Sequence, residues 1–199
     1  MLISDDDSSV VVGTVSDRPT ISRWVKNKFG EYVCATSVLL KSPILSMQYA
    51  TSEEGFDYGT IWAGCADGSL LKVDKHGDIV QKFFVSGAGI RALAVTPSAI
   101  FVGAANGDVA KVNPASGSKT PVLPSHSDAV VSIGARDGVL VTGSRDGTLI
   151  VWSTKDPAMP KPQYTMKGMK VWLGNVEVDE TRIVTDGADN QVLVHDFSL

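Results

Sequence analysis

The sequence predicts an all-β fold assembled from repeated four-stranded antiparallel units, and three observations predict it. One strand–glycine–turn–strand phrase recurs at a period near forty residues. Two further strand-like runs separate successive copies, and no segment carries helical periodicity.

The phrase is clearest in LVTGSRDGTLIVW, residues 140–152. An apolar run halts at Gly143, turns through Arg145, Asp146 and Gly147, and restarts at once. Asp-Gly between two such runs is the strongest short-range hairpin signal, because the turn needs positive φ and glycine accepts it. The spacing predicts paired strands over 139–144 and 148–153. The same phrase reads IWAGCADGSLLKVD at 61–74, IFVGAANGDVAKVN at 100–113 and LVTGSRDGTLIVWS at 140–153. A fourth form, IVTDGADNQVLVHD at 183–196, exchanges the first glycine for Asp186 and ends its turn in Asn190. A degenerate form, VVVGTVSDRPTISRWV at 10–25, has one extra turn residue. Hairpins are thus expected at about 10–25, 61–74, 100–113, 140–153 and 183–196, within a single domain, 1–199. Their offsets are 51, 39, 40 and 43 residues, and the polar insertion TSEEGFDYG at 51–59 explains the long one.

Between copies lies a small-residue-rich apolar run: ILSMQYA (44–50), IRALAV (90–95), VVSIGA (130–135) and VWLGNVEV (171–178). A more amphipathic run also recurs, as YVCATSVL, DIVQKFFV and PQYTMK. Each repeat therefore has four strands joined by short turns, the composition of a β-propeller blade. A lone blade cannot bury both faces, so stacking of neighbours supplies the core.

At 125–153, SHSDAVVSIGARDGVLVTGSRDGTLIVWS, the chain resembles the WD40-repeat family, and the resemblance extends from about residue 10 to the end. Trp152 stands at the tryptophan of the family's signature dipeptide, with Ser153 in place of its aspartate. The resemblance implies a hydrogen-bonded structural tetrad of His126, Thr142, Asp146 and Trp152. Elsewhere that pattern decays: Val73 and Val112 take the tryptophan position, His195 takes it in the last copy, and Trp24 keeps it. Family propellers usually have seven blades, which at this period need around 280 residues. If Met1 is the true start, only LIS is available as inner strand of the first repeat, and the last copy reaches its third strand at VLVHDFSL. The expectation is about five repeats in an open or incomplete ring, with a closed five-bladed ring as the alternative.

Composition narrows function further. The chain is 43% hydrophobic and 20% charged, as in soluble globular proteins, and its net charge of −4 disfavours nucleic acid as the main partner. No apolar run is long enough to cross a bilayer, and MLISDDDSSVVVG is too acidic for an export signal. Cys34 and Cys65 lack metal-ligand spacing and read as two reduced structural thiols. An intracellular, cytoplasmic protein fits, with the nucleus as an alternative.

No catalytic, cofactor or metal site is expected. Ser125, His126 and Asp146 resemble a catalytic trio, but a turn aspartate beside an imidazole more simply satisfies buried polar groups. His76, in a KHGD turn, and His195 have no partners at metal-ligand spacing. The glycine turns lead into strands, whereas a phosphate cradle needs a helix N-terminus. Asp5-Asp6-Asp7 and Glu53-Glu54 read as solvated loops. Lys161, Lys167 and Lys170, interleaved with Pro160, Pro162, Tyr164 and Trp172, read as a solvated strand edge, while Trp62 and Trp172 read as core. GAANGDVAKVNPASGSK also resembles quinoprotein-type propeller repeats, which makes a propeller enzyme or small-molecule binder the alternative function. The main expectation is a non-enzymatic scaffold for protein–protein interaction, a subunit of a larger complex. Its partner edge is Gln191, Val192, Leu193, Val194, His195, Asp196 and Phe197, open to an added strand or to self-association, with residues 1–15 as the alternative place for that contact.

Overall fold

The computed structural model describes residues 2–3, 9–50, 60–122, 124–136, 138–156, 159–169, 173–179, 181–186 and 191–196. Every regular element among them is a strand. β1 (Leu2–Ile3), β2 (Ser9–Gly13), β3 (Thr20–Lys26) and β4 (Tyr32–Leu39) form blade 1. β5 (Ile44–Tyr49), β6 (Ile61–Cys65), β7 (Ser69–Val73) and β8 (Ile79–Phe84) form blade 2. β9 (Ile90–Val95), β10 (Ile100–Ala104), β11 (Val109–Val112) and β12 (Lys119–Val122) form blade 3. β13 (Val130–Arg136), β14 (Val139–Ser144), β15 (Leu149–Ser153) and β16 (Lys161–Met166) form blade 4. β17 (Val176–Val178), β18 (Arg182–Asp186) and β19 (Val192–Asp196) form blade 5, which has three strands among the described residues. All pairings are antiparallel between consecutive strands. In blade 1, Leu2 of β1 lies opposite Val11 and Ile3 opposite Val10.

The chain divides into two compact units, Met1–Ile90 and Arg91–Leu199. In the first, Val11 and Ile21 of blade 1 pack on Ile44, Ile61, Ala63, Leu71 and Val73 of blade 2. In the second, blade 4 feeds two cores. Leu140, Ile150 and Trp152 pack with Phe101, Val109 and Val122 of blade 3. Val141, Leu149 and Val151, one residue out of phase, pack with Leu173, Val176 and Ile183 of blade 5. Side chains alternate across a strand, so a sheet buried on both faces reads as a continuous apolar run. That is why LIVW shows no polar alternation.

The two glycines of the phrase have different uses. The first lies where the next blade packs. A Cβ at Gly103 would stand 2.5 Å from Val130 Cγ1, and one at Gly143 would stand 2.9 Å from Leu173 Cβ. Gly13 meets Ile44 and Gly64 meets Ile90 in the same way. Beside two of these seats an inner-strand serine reaches the following segment: Ser46 Oγ donates to the carbonyl of Ile90, at the start of β9, at 3.1 Å, and Ser132 Oγ donates to that of Leu173, ahead of β17. The second glycine has φ of 78°, 90° and 73° at Gly68, Gly107 and Gly147. Its carbonyl accepts the amide of a passing loop: Val85 at 3.0 Å, His126 at 3.0 Å and Met169 at 3.2 Å. Each turn therefore pins the segment that leads to the following inner strand.

Trp62 is fully buried and stacks on Phe83 with ring centroids 6.3 Å apart. Cys34 is exposed and Cys65 buried, both as free thiols, and burial pushes the Cys65 thiol up to about 11. Asp5–Asp7, Glu53, Glu54, Lys170, Trp172 and Phe197 lie outside the described residues.

Candidate functional site

The richest polar cluster lies in blade 4. β14 carries Thr142, β15 carries Trp152, the intervening turn carries Asp146 and Thr148, and His126 arrives on the loop before β13. All four expected tetrad residues converge there, with Thr148 as a fifth. Trp152 Nε1 lies 3.1 Å from Thr142 Oγ1, and His126 Nε2 lies 2.8 Å from the same oxygen. On the other side of the ring, His126 Nδ1 lies 2.9 Å from Thr148 Oγ1 and 3.4 Å from Asp146 Oδ2. The Thr148 hydroxyl donates to Asp146 Oδ1 at 2.5 Å.

Donor and acceptor capacities fix the protons. An indole N–H only donates and a carboxylate only accepts. The Thr148 proton is committed to Asp146, so its oxygen accepts from His126 Nδ1–H. The neutral ring then presents Nε2 as an acceptor, and the Thr142 hydroxyl donates to it. The alternative Thr142 acceptor, the Ile150 carbonyl, is 3.5 Å away. The result is one directed relay, Trp152 to Thr142 to His126 to Thr148 to Asp146.

Burial lowers the pKa of His126, and the nearby Asp146 charge only partly restores it. Burial by itself would raise the Asp146 carboxyl. Hydrogen bonds from the Thr148 hydroxyl and from the Ser127 and Thr148 amides hold it down to about 2 instead. Those amides lie 2.8 Å and 2.9 Å from the carboxylate. The cluster is a neutral imidazole locked to an ionised aspartate. Ser125 Oγ donates to Asp108 at 3.3 Å, whereas the hydroxyls against the His126 ring nitrogens belong to Thr142 and Thr148.

Thr148 was missed because it stands directly after the turn glycine, just outside β15, where a hydroxyl looks like ordinary turn chemistry. The aspartate two residues before it was the available signal: Asp67 likewise accepts the Ser69 amide at 3.0 Å. In blade 3, Asn106 instead bonds Asp108 at 2.7 Å on the surface. Blade 5 holds half a relay. Thr185 and His195 occupy the positions of Thr142 and Trp152, yet Thr185 Oγ1 and His195 Nε2 are buried without a partner.

The expected partner edge is β19, the margin of the blade 5 sheet among the described residues. Val192 and Val194 are 69% and 56% exposed, while Leu193 and His195 are half-buried. Gln191 is exposed just before the strand, and Asp196 accepts from Arg182 Nε at 3.2 Å across the pair. At the seat position of β18 stands Asp186, whose carboxylate accepts the Gly174 amide at 2.8 Å.

Cavities are modest. One of about 260 Å³ between blades 4 and 5 is lined by Lys155, Tyr164, Asp179 and Arg182. Another, about 580 Å³, lies beside Lys72, Lys75, His76 and Gln81 of blade 2. Among the described residues no group of three His, Cys, Asp or Glu side chains could hold a metal ion.

No protein-family model and no curated protein matches this sequence. Solved structures do match. Sqt1 of Saccharomyces cerevisiae, a WD40 protein, superposes with a TM-score of 0.77 at 14% identity, over 96% of this chain and 56% of that one. The fold is propeller-like. Two computationally designed propeller proteins agree with it. Ika8 gives a TM-score of 0.70 at 18% identity, covering 94% of this chain and 58% of its own. Ika4 gives 0.67 at 19% identity, covering 80% of this chain and 94% of its own. The chain thus spans less than two thirds of the length of Sqt1 and Ika8.

Proposed function

We propose that this chain is a non-enzymatic, WD40-type scaffold that works inside the cell as a subunit of a protein complex, in an incomplete ring of about five repeats. One observation carries the reading. The polar side chains with catalytic potential in blade 4 are spent on one another, whereas β19 offers backbone and exposed valines at a sheet margin. A relay with a donor-only start and an acceptor-only end has no group left to move a substrate proton. A sheet margin with alternate apolar side chains, by contrast, is what an added strand recognises: backbone hydrogen bonds give affinity and the side chains give selectivity. The likeness in fold to a WD40 protein agrees with an interaction role.

The test is affinity purification with cross-linking from a cell extract, comparing wild type with Val192→Lys/Val194→Lys. The reading expects a defined set of proteins cross-linked to residues 191–196 in the wild type and lost from the variant. Retention of every partner by the variant, or a substrate turned over by the purified chain, would overturn it.

A further inference from the structure

The seam between blades 4 and 5, both in the second compact unit, holds a cavity of about 260 Å³. The repeat accounts for the space. Trp152, opposite Leu140, packs fully buried against blade 3, whereas the same position of blade 5, opposite Ile183, carries the smaller His195. Ile183 lines the cavity and packs on blade 4, so by strand alternation Thr185 and His195 face the same seam. Thr185 Oγ1 and His195 Nε2 are buried without a partner. The seam thus lacks polar partners as well as bulk.

The lining divides by chemistry. Val139, Val151, Val178 and Ile183 form the apolar side and belong to the core shared by the two blades. Tyr164, 40% exposed, borders them. Exposed Lys155 and Arg182 stand on the rim, one from each blade. Lys155 lays its stem across Gly138, where a Cβ would come within 3.1 Å of Lys155 Cγ. It pairs with no carboxylate among the described residues. Arg182 commits Nε to Asp196 at 3.2 Å and keeps its terminal N–H groups. Asp179, the carboxylate of the lining, is occupied by its own turn: Oδ1 accepts the amides of Thr181 at 2.8 Å and Arg182 at 2.6 Å.

We infer that this cavity binds a small aromatic carboxylate, its ring against the valines and Ile183 and its carboxylate on the cationic rim. Small-ligand sites combine an apolar lining with a few polar groups that fix orientation, as here. The size fits: an apolar cavity of about 150 Å³ takes benzene, so about 260 Å³ has room for a ring and its acid group. An anion is favoured because two cationic side chains face a carboxylate already spent on backbone amides. This binding requires neither catalysis nor β19, so it goes beyond the interaction-scaffold reading.

Titration of the full chain with phenylacetate, followed by amide NMR shifts, tests the inference. The amides of Gly138, Ser153 and Thr181, which line the cavity, should move together with one affinity. Phenylacetamide, uncharged and of the same shape, should bind about tenfold or more weakly, and Lys155→Gln should weaken phenylacetate by a similar factor. Lys155 is exposed, so thermal melts should show this variant as stable as wild type. No movement of those amides, equal binding of phenylacetamide, or unchanged affinity in folded Lys155→Gln would overturn the inference. So would tighter binding of a peptide ending in phenylalanine than of phenylacetate, which would assign the cavity to a protein terminus. The scaffold reading stands or falls separately, on the partners of β19.

Discussion

The indole N–H of Trp152 donates to the Thr142 hydroxyl at 3.1 Å, and this bond sets the direction of every proton that follows in blade 4. Tryptophan cannot accept, so Thr142 turns its own proton to His126 Nε2, and the far side of the ring must donate. The relay ends at Asp146, which joins the turn to the loop that carries Ser127. Four local segments are thereby locked together around one imidazole.

Loss of the acceptor should be costly. Asp146→Ala strips partners from the Thr148 hydroxyl and from the Ser127 amide, and is expected to cost about 1–3 kcal/mol. Asn106→Ala, at the equivalent turn of blade 3, removes two exposed hydrogen bonds with Asp108, one to its carboxylate and one from its amide, and should cost less than Asp146→Ala. Urea titrations of the two variants should separate them clearly; equal shifts in midpoint would remove the relay's structural role.

Thr148 is expected to set the histidine tautomer. Thr148→Val keeps the shape but removes the hydroxyl 2.9 Å from Nδ1 and leaves it only Asp146 Oδ2 at 3.4 Å, whereas Thr148→Ser keeps the hydroxyl. Nitrogen NMR shifts of the His126 ring should report Nδ1–H in the wild type and in Thr148→Ser, and a changed ring in Thr148→Val. An Nε2–H ring in the wild type would contradict the assigned direction.

Acid should weaken the protein in two steps. The folded-state pKa of His126 lies below its unfolded value, so the unfolded chain binds the extra proton. The associated stability is complete above about pH 6.5 and declines as pH falls below that toward the folded value. Asp146, lowered from 3.8 to about 2, gives stability that is present above 3.8 and lost as pH falls toward 2. Urea midpoints across this range should show both losses, with His126→Gln removing the first. An unchanged upper step in that variant would assign it to another group.

The seat glycines should resist even a methyl group. Gly103→Ala brings Cβ to 2.5 Å from Val130 and is expected to cost about 1–3 kcal/mol by overpacking. Gly87 has open space around its Cβ position and an ordinary φ, so Gly87→Ala should be nearly neutral. Thermal melting of the two variants compares them directly.

The strand pattern was legible because both repeat glycines and the turn aspartate stand at fixed offsets. The apolar runs around Leu140 and Val151 told of a sheet buried on both faces. The use of the first glycine was not legible. Its neighbour, Val130 for Gly103 or Leu173 for Gly143, lies about thirty residues downstream, and no local rule links them. Thr148 was invisible for a related reason: a hydroxyl beside a turn has many local uses, and only the position of His126 selects this one. Trp24 matched the signature tryptophan in sequence, yet it is 37% exposed where Trp152 is fully buried.

Hydrogen exchange along β19 is the most direct test of the proposed interaction edge. In the isolated protein, the amides of Val192–His195 that point away from β18 should exchange rapidly, while their β15 counterparts, paired with β16, stay protected. When the partner recovered by cross-linking is added, the same β19 amides should become protected in alternation, the signature of an added strand. Amides already protected in the isolated protein, or left unchanged in the complex, would contradict the proposed edge.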